Sequence, residues 1–425
     1  MVITSANQLN GQSFDIVIVG AGPAGCHCAR LLAKAGYQVL LVEQHKDFYK
    51  NNFSSAATPL ETLEKFDLPE EVVGSSWSKI EIITTKVYRS WESSQSLGVV
   101  FDFAKLRQFL AEDCQANGGQ VWLGYRYLKY TQENGKILVY LKKRNGDITY
   151  VSSKVLVDAT GFARAVIYPD KKARPNFLKA TGIEYLIEVP QEKHQNYANS
   201  LIFFLGHYWS PKGYSWIFPM DNNQLKVGSA WLDEPHKILD SVKPLKEYIQ
   251  QIIKDYIQID NYKIIDVHGS ILEYSIGLND LYYRDNIIAI GDAVSTVNFL
   301  GGEGIRHGMD GAEIAARHIE DYLNQKTNDF RGYQTEMQQH FSRQWNSSEQ
   351  ISRRVYLEYS DARIDRGVAY LKYLNLQDII DILFYYKFQK YLRGFQPYLL
   401  KKLISWLKQI RLLAEVRQKA KGKSQ

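Results

Sequence analysis

The sequence predicts an α/β fold in which a parallel, doubly wound sheet is assembled from discontinuous pieces of chain, a mainly antiparallel sheet is inserted, and a helical C-terminal region follows. Three observations predict it. "FDIVIVGAGPAG" (residues 14–25) is an apolar strand running into a glycine turn. "DNIIAIGDA" (residues 285–293) returns, far downstream, to a fully apolar strand. Between them, residues 175–280 alternate apolar and polar positions and are rich in aromatics. A strand buried on both faces reads as a continuous apolar run, whereas one with a single buried face alternates. The chain has 425 residues, ample for two or three domains, and its 45% apolar and 23% charged composition argues against wholesale disorder.

Taken in order, "CHCARLLAKAG" (residues 26–36) has helical spacing and ends at Gly36, a natural C-terminal stop. "YQVLLVEQ" (residues 37–44) is a second strand, completing one βαβ unit. Residues 103–119 read as an amphipathic helix closed by glycine, followed by the strand "QVWLGYRY". Residues 136–161 form a hairpin turning at Asn145-Gly146 and leading into another buried strand. A helix near 243–256 interrupts the antiparallel region, and "GGEGIRHGMDGAEIAARHIEDYL" (residues 301–323) is a helix entered through glycines. From about 330 the pattern is helical. The expected division is therefore a nucleotide-binding domain from 1–80, 101–172 and 281–330, a substrate-binding sheet domain from 81–100 and 173–280, and a helical region over 331–425.

Composition narrows the setting. The three cysteines, Cys26, Cys28 and Cys114, are too few for a disulfide framework and read as buried fillers in a reducing, cytoplasmic compartment. "MVITSANQLNGQS" has no basic segment followed by an apolar run, and nowhere is there an apolar stretch of roughly 18 residues, the length needed to span a bilayer. From Lys387 onward eleven basic residues face one acid, which leaves the preceding 386 residues at −4. Basic character confined to a tail argues against a nucleic-acid enzyme. No pattern of metal ligands stands out.

The glycine cluster Gly20-Ala21-Gly22-Pro23-Ala24-Gly25 follows a strand and opens a helix, the context a Rossmann-like dinucleotide fingerprint requires. Gly20 permits the tight turn, Gly22 lets the backbone approach a pyrophosphate, and Gly25 allows close helix–strand packing. The helix start then offers bare amides to phosphate. Glu43 ends the second strand where an acid bonds a ribose 2′-hydroxyl, and it would repel a 2′-phosphate, favouring NAD or FAD over NADP. Downstream, Gly291-Asp292 follows a buried strand, and Gly301, Gly302 and Gly304 precede a helix. Asp292 can bond a ribityl hydroxyl; the alternative is a helix cap.

These motifs, with "VLVDATG" and "GDAVSTVNFLGGEGI" in this order, resemble the FAD-dependent family that includes para-hydroxybenzoate hydroxylase, flavin halogenases, lycopene cyclases and geranylgeranyl reductases. The similarity covers about residues 14–325. It implies one FAD, with Gly20, Gly22, Pro23, Ala24, Gly25 and Glu43 on the ADP half. Gly291 and Asp292 would lie near the ribityl–pyrophosphate, and Gly301, Gly302, Gly304 and Ile305 near the isoalloxazine. Asp158 and Gly161 match the family's second acid–glycine motif.

"PKGYSWIFPMDNNQLKVGSA" (residues 211–230) is similar to the Tyr-x-Trp-x-Phe-Pro…Val-Gly signature of geranylgeranyl reductases, at Tyr214, Trp216, Phe218, Pro219, Val227 and Gly228. In a strand, Tyr214, Trp216 and Phe218 share a face. They read either as an apolar wall for a polyprenyl or other hydrophobic small molecule, or as an aromatic ladder touching no ligand. Three departures stand beside the match. "KNNFSSAATP" replaces that family's Cys-Gly-Gly motif, removing any thiol role. Arg107 lies one helical turn beyond the place of the usual arginine, within reach of a phosphate contact. No clear equivalent of the halogenase lysine exists, Lys50 being near only in sequence.

The resemblance implies FAD-dependent reduction of isoprenoid carbon–carbon double bonds, with NAD(P)H as a transient electron donor. A flavin monooxygenase or halogenase, or a lycopene cyclase-like enzyme, is the alternative. No catalytic side chain is singled out: the proton would come from Tyr214 or water, and His307 reads as an ordinary helical histidine. In residues 395–425, Leu399, Leu403, Trp406, Ile410 and Leu413 lie along one helical face, and Lys401, Lys408, Arg411 and Glu415 occupy much of the other. That pattern predicts contact with an anionic membrane, or else a helix docked on its own protein with solvated lysines.

Overall fold

The strand Ser13–Val19 is buried on both faces because its Ile and Val side chains have a helix layer on one side and sheet-covering chain on the other. It lies at the centre of an eight-stranded sheet in a computed structural model that describes residues 10–50, 54–133 and 135–391. Val39–Glu43 pairs with it in parallel on one side and Ile148–Asp158 on the other. Gln120–Leu123 and Ile287–Ala289 extend the parallel set outward. The long strand Ile148–Asp158 also carries an antiparallel meander with Lys136–Lys143 and Tyr125–Glu133. The strand expected over 120–127 is broken at Gly124, whose φ of +79° turns the chain from the parallel set into that meander.

Three helices cover this sheet. Pro23–Lys34 carries proline at its first turn and is followed by Gly36 at φ +88°, and it packs between Phe103–Ala116 and Ile305–Leu323. Phe103–Ala116 begins at Asp102, whose carboxylate accepts from the Ala104 and Lys105 amides at 3.1 Å each. Cys26, Cys28 and Cys114 are unpaired and buried in this layer, and burial pushes the Cys28 and Cys114 thiols up to about 12. They are thiols, not thiolates, at neutral pH.

A seven-stranded sheet stands beside the first, in the order Lys263–Tyr274, Leu178–Glu188, Gln224–Leu232, Ser210–Met220, Ser200–Gly206, Lys79–Ile83, Tyr88–Glu92. All its pairings are antiparallel except that between Ser200–Gly206 and Lys79–Ile83. Its two faces bury different partners. Ile217, Leu225 and Val227 pack with Ile249, Ile252 and Ile253 of the helix expected near 243–256. Trp216 and Phe218 pack on the other face with Val368, Leu371, Ile379 and Phe384. Those last four come from Asp361–Tyr370, the turn after it, and Leu376–Leu383 with its C-terminal cap Phe384, all following the long helix Arg331–Leu357. Among the described residues no helix is long and apolar enough to cross a membrane. The basic segment 395–425 lies outside the described residues.

Candidate functional site

Where Ser13–Val19 ends, the glycine turn is made by contact rather than by side chains. A β-carbon on Gly25 would stand 2.0 Å from the Gly20 carbonyl oxygen, and one on Gly20 would stand 2.3 Å from that of Ala159. Gly22 differs: nothing lies within 4 Å of where its β-carbon would point. It is the N-cap of Pro23–Lys34, no side chain caps that helix, and no acid occupies its first turn. Bare amides at a helix start, above open space, favour an anion. Glu43 sits behind the turn, 8% exposed, accepting from the Ala21 amide at 3.0 Å and the His45 amide at 2.9 Å.

A second helix start meets the first. Ile305–Leu323 begins at Gly304, again without a side-chain cap or an acid in its first turn. It approaches so closely that β-carbons on Gly291 and Gly308 would meet the Ala24 methyl at 2.9 and 3.4 Å. Asp292 is therefore not a helix cap. Its carboxylate lies 3.5 Å from the β-carbon position of Gly304, and burial raises its pKa against the pull of Arg164.

Opposite these helix starts stand Tyr214, Trp216 and Phe218, neighbouring ring centroids 5.5 and 6.4 Å apart. The Tyr214 hydroxyl donates to the Gly301 carbonyl at 2.5 Å, tying the wall to the later glycine loop. Trp216 pairs in register with Gly228 of the next strand. A β-carbon there would lie 2.1 Å from the indole, so the Val-Gly of the signature is the space into which the ring folds.

One cavity of about 950 Å³ joins the two ends. Gly22, Pro23, Ala24 and Gly25 line it from the first helix start, and Gly161, Gly291 and Asp292 from the strand ends. Gly301, Gly302, Gly304 and Ile305 line it from the second start, facing Tyr214, Trp216 and Phe218. Other expected residues lie elsewhere. Gly20 and Glu43 are beneath the turn. Asp158 is fully buried and gives both oxygens to its own loop, accepting from the Thr160 amide and hydroxyl and from the Val166 and Ile167 amides at 2.6–2.9 Å. Pro219 faces the other side of its strand, its carbonyl accepting from Ser75. Arg107 is buried against Phe48 and Phe103 and donates to the Phe48 and Lys50 carbonyls. Lys50 is exposed. His307 is buried, edge-on to Trp345, and bonded to Glu303.

Two features were not foreseen. The C-terminal helices close the cavity with Tyr356, Val368 and Phe384, and bring Arg363 and Arg366 to its lining. Glu303 also lines it, bonded to Arg306, His307 and Tyr386. Burial pushes the Glu303 carboxyl up, but Arg306 and His307 outweigh it and bring it down to about 2. The signal for the first was the amphipathic "LQDIIDILF" at 376–384, which needs a partner for its apolar face.

Residues 13–343 match a family described as FAD binding domain. The digeranylgeranylglycerophospholipid reductase of Haloferax volcanii is 29% identical over 329 residues, 75% of this chain and 78% of that one. A geranylgeranyl bacteriochlorophyll reductase-like protein from Thermoplasma acidophilum superposes with a TM-score of 0.79 at 19% identity, over 93% of this chain and 99% of its own. The p-nitrophenol 4-monooxygenase of Pseudomonas putida shares the fold with a TM-score of 0.66 at 14% identity, over 89% and 99% of the chains.

Proposed function

The chain belongs to the FAD binding domain family and is an FAD-dependent oxidoreductase, and from that premise we propose that it saturates carbon–carbon double bonds of an isoprenoid lipid. One observation carries the reading: a single cavity runs from two bare helix starts to an apolar aromatic wall. The residues fit FAD. Gly22 leaves open the place a side chain would fill, the helix Pro23–Lys34 offers its first amides to the pyrophosphate, and Asp292 and Gly304 stand together where the ribityl chain would pass. Bound there, reduced flavin would supply a hydride, the electron pair with one hydrogen, and a proton from a separate donor would complete saturation of the alkene.

The protein's own residues do the rest by shape and exclusion. Tyr214, Trp216 and Phe218 give the prenyl chain a flat surface, and the C-terminal helices keep water from it. Tyr214 already donates to Gly301, so its hydroxyl must leave that bond before it can give a proton to the alkene. The Haloferax volcanii relative is named for a glycerophospholipid, and Asp361–Tyr370 supports a charged headgroup here. Its acids turn to the sheet, Asp361 to the His207 amide and Asp365 to Thr84, while Arg363 and Arg366 line the cavity. NAD(P)H as the electron source, and anchoring to anionic membrane through residues 395–425, complete the proposal on sequence grounds.

Product mass tests it. Incubation of reduced enzyme with a geranylgeranyl glycerophospholipid should yield lipid heavier by a hydrogen pair for each bond reduced. Unchanged mass with altered chromatography would mean cyclisation, and added oxygen or halogen would mean the rival chemistry.

A further inference from the structure

A buried carboxylate in an apolar wall costs free energy unless its bonds hold something in place. Glu184 is such a group, 2% exposed, on Leu178–Glu188. Strand register puts it in one row with Gly228 and Trp216 across three strands. Because the middle residue has no side chain, the indole lies across it. The indole Nε1 reaches Glu184 Oε2 at 2.8 Å. The same oxygen accepts from Ser55 Oγ at 2.6 Å. Ser55 belongs to the segment 54–57 that lines the cavity, and Lys226, one pleat from Gly228, holds that segment through the Ser54 and Ser55 carbonyls at 2.8 and 3.3 Å.

We propose that Glu184 is the positioning residue of the prenyl site: it fixes the plane of the Trp216 indole and joins it to the 54–57 segment, so that two walls of the cavity keep one spacing. Glu184 does not line the cavity and acts through the ring it holds. This rests on the reading of the cavity as a prenyl-lipid site, but the geometry of the ring does not.

The test uses flavin-loaded enzyme and the variants Glu184→Gln, Glu184→Ala and Trp216→Phe. The difference between wild-type and Trp216→Phe near-ultraviolet circular dichroism isolates the Trp216 band. Glu184→Ala should shift or flatten that band, and Glu184→Gln, which keeps an acceptor, should retain it. With a geranylgeranyl glycerophospholipid, Glu184→Ala should raise KM about tenfold while kcat stays within about twofold, Glu184→Gln should stay near wild type, and Glu184→Ala should add nothing to Trp216→Phe. If Glu184→Ala does not fold, Glu184→Met keeps the volume and removes the acceptors. An unmoved Trp216 band in the variant lacking the acceptor overturns the proposal, as do penalties that multiply. The spectral arm needs no substrate, so absence of turnover on every lipid would sink the functional reading and leave this one decided.

Discussion

The two ends of the cavity are built from different material. At the parallel sheet its boundary is backbone: Gly20 and Gly25 bring main chain within contact distance, Gly22 opens onto free space, and amides are left bare at two helix starts. At the antiparallel sheet its boundary is rings, and the glycine beneath Trp216, Gly228, serves a neighbouring side chain rather than a ligand. The difference teaches that a polar cofactor can be held by peptide groups every sequence possesses. An apolar chain needs side chains whose planes must be fixed by something else, and here that is Glu184 and Ser55.

Substitutions should separate the ends in order of size. Gly25→Val drives a side chain into the Gly20 carbonyl 2.0 Å from its β-carbon. It should cost at least about 3 kcal/mol and yield colourless protein, read by thermal melting and flavin absorbance. Next is the carboxylate between the ends. Glu303, held at about 2 by Arg306 and His307 against burial, would titrate near 4.3 unfolded. Its folded pKa is depressed, so its stabilisation is present above about pH 4.3 and lost as pH falls toward 2, about 3 kcal/mol in all. Glu303→Gln should therefore flatten the acid limb of a stability–pH profile measured by denaturant titration.

Gly228→Ala puts a methyl 2.1 Å from the indole of Trp216. It should cost about 1–3 kcal/mol and cut lipid turnover at least about tenfold while the protein stays yellow. A colourless Gly228→Ala would erase the distinction between the ends. Smallest is Tyr214→Phe, which deletes the 2.5 Å bond to Gly301 and keeps the ring. A loss of about 1 kcal/mol in chemical denaturation is expected, with flavin retained.

Legibility in the sequence follows the same division. The parallel strands and the glycine turns were readable because continuous apolar runs and glycine spacing are local. The alternation at 211–230 likewise placed Tyr214, Trp216 and Phe218 on one face. Asp158 marks a limit of local reading: an acid after a buried strand looks alike whether it serves a ligand or its own loop, and here its oxygens accept from Thr160, Val166 and Ile167. Glu184 was passed over although it is a charged residue inside the apolar "GIEYLI", because the ring that justifies it lies two strands away. The C-terminal lid was invisible for the same reason: amphipathy shows that 376–384 must pack, not against what.

The most direct measurement mixes photoreduced, flavin-loaded enzyme with a geranylgeranyl glycerophospholipid under strict anaerobiosis and follows flavin absorbance. Return of the oxidised spectrum on mixing, with one carbon–carbon double bond reduced for each flavin oxidised, is the result expected of a reductase whose cavity joins flavin to prenyl chain. A flavin that stays reduced until oxygen is admitted, with product formed only then, would contradict it.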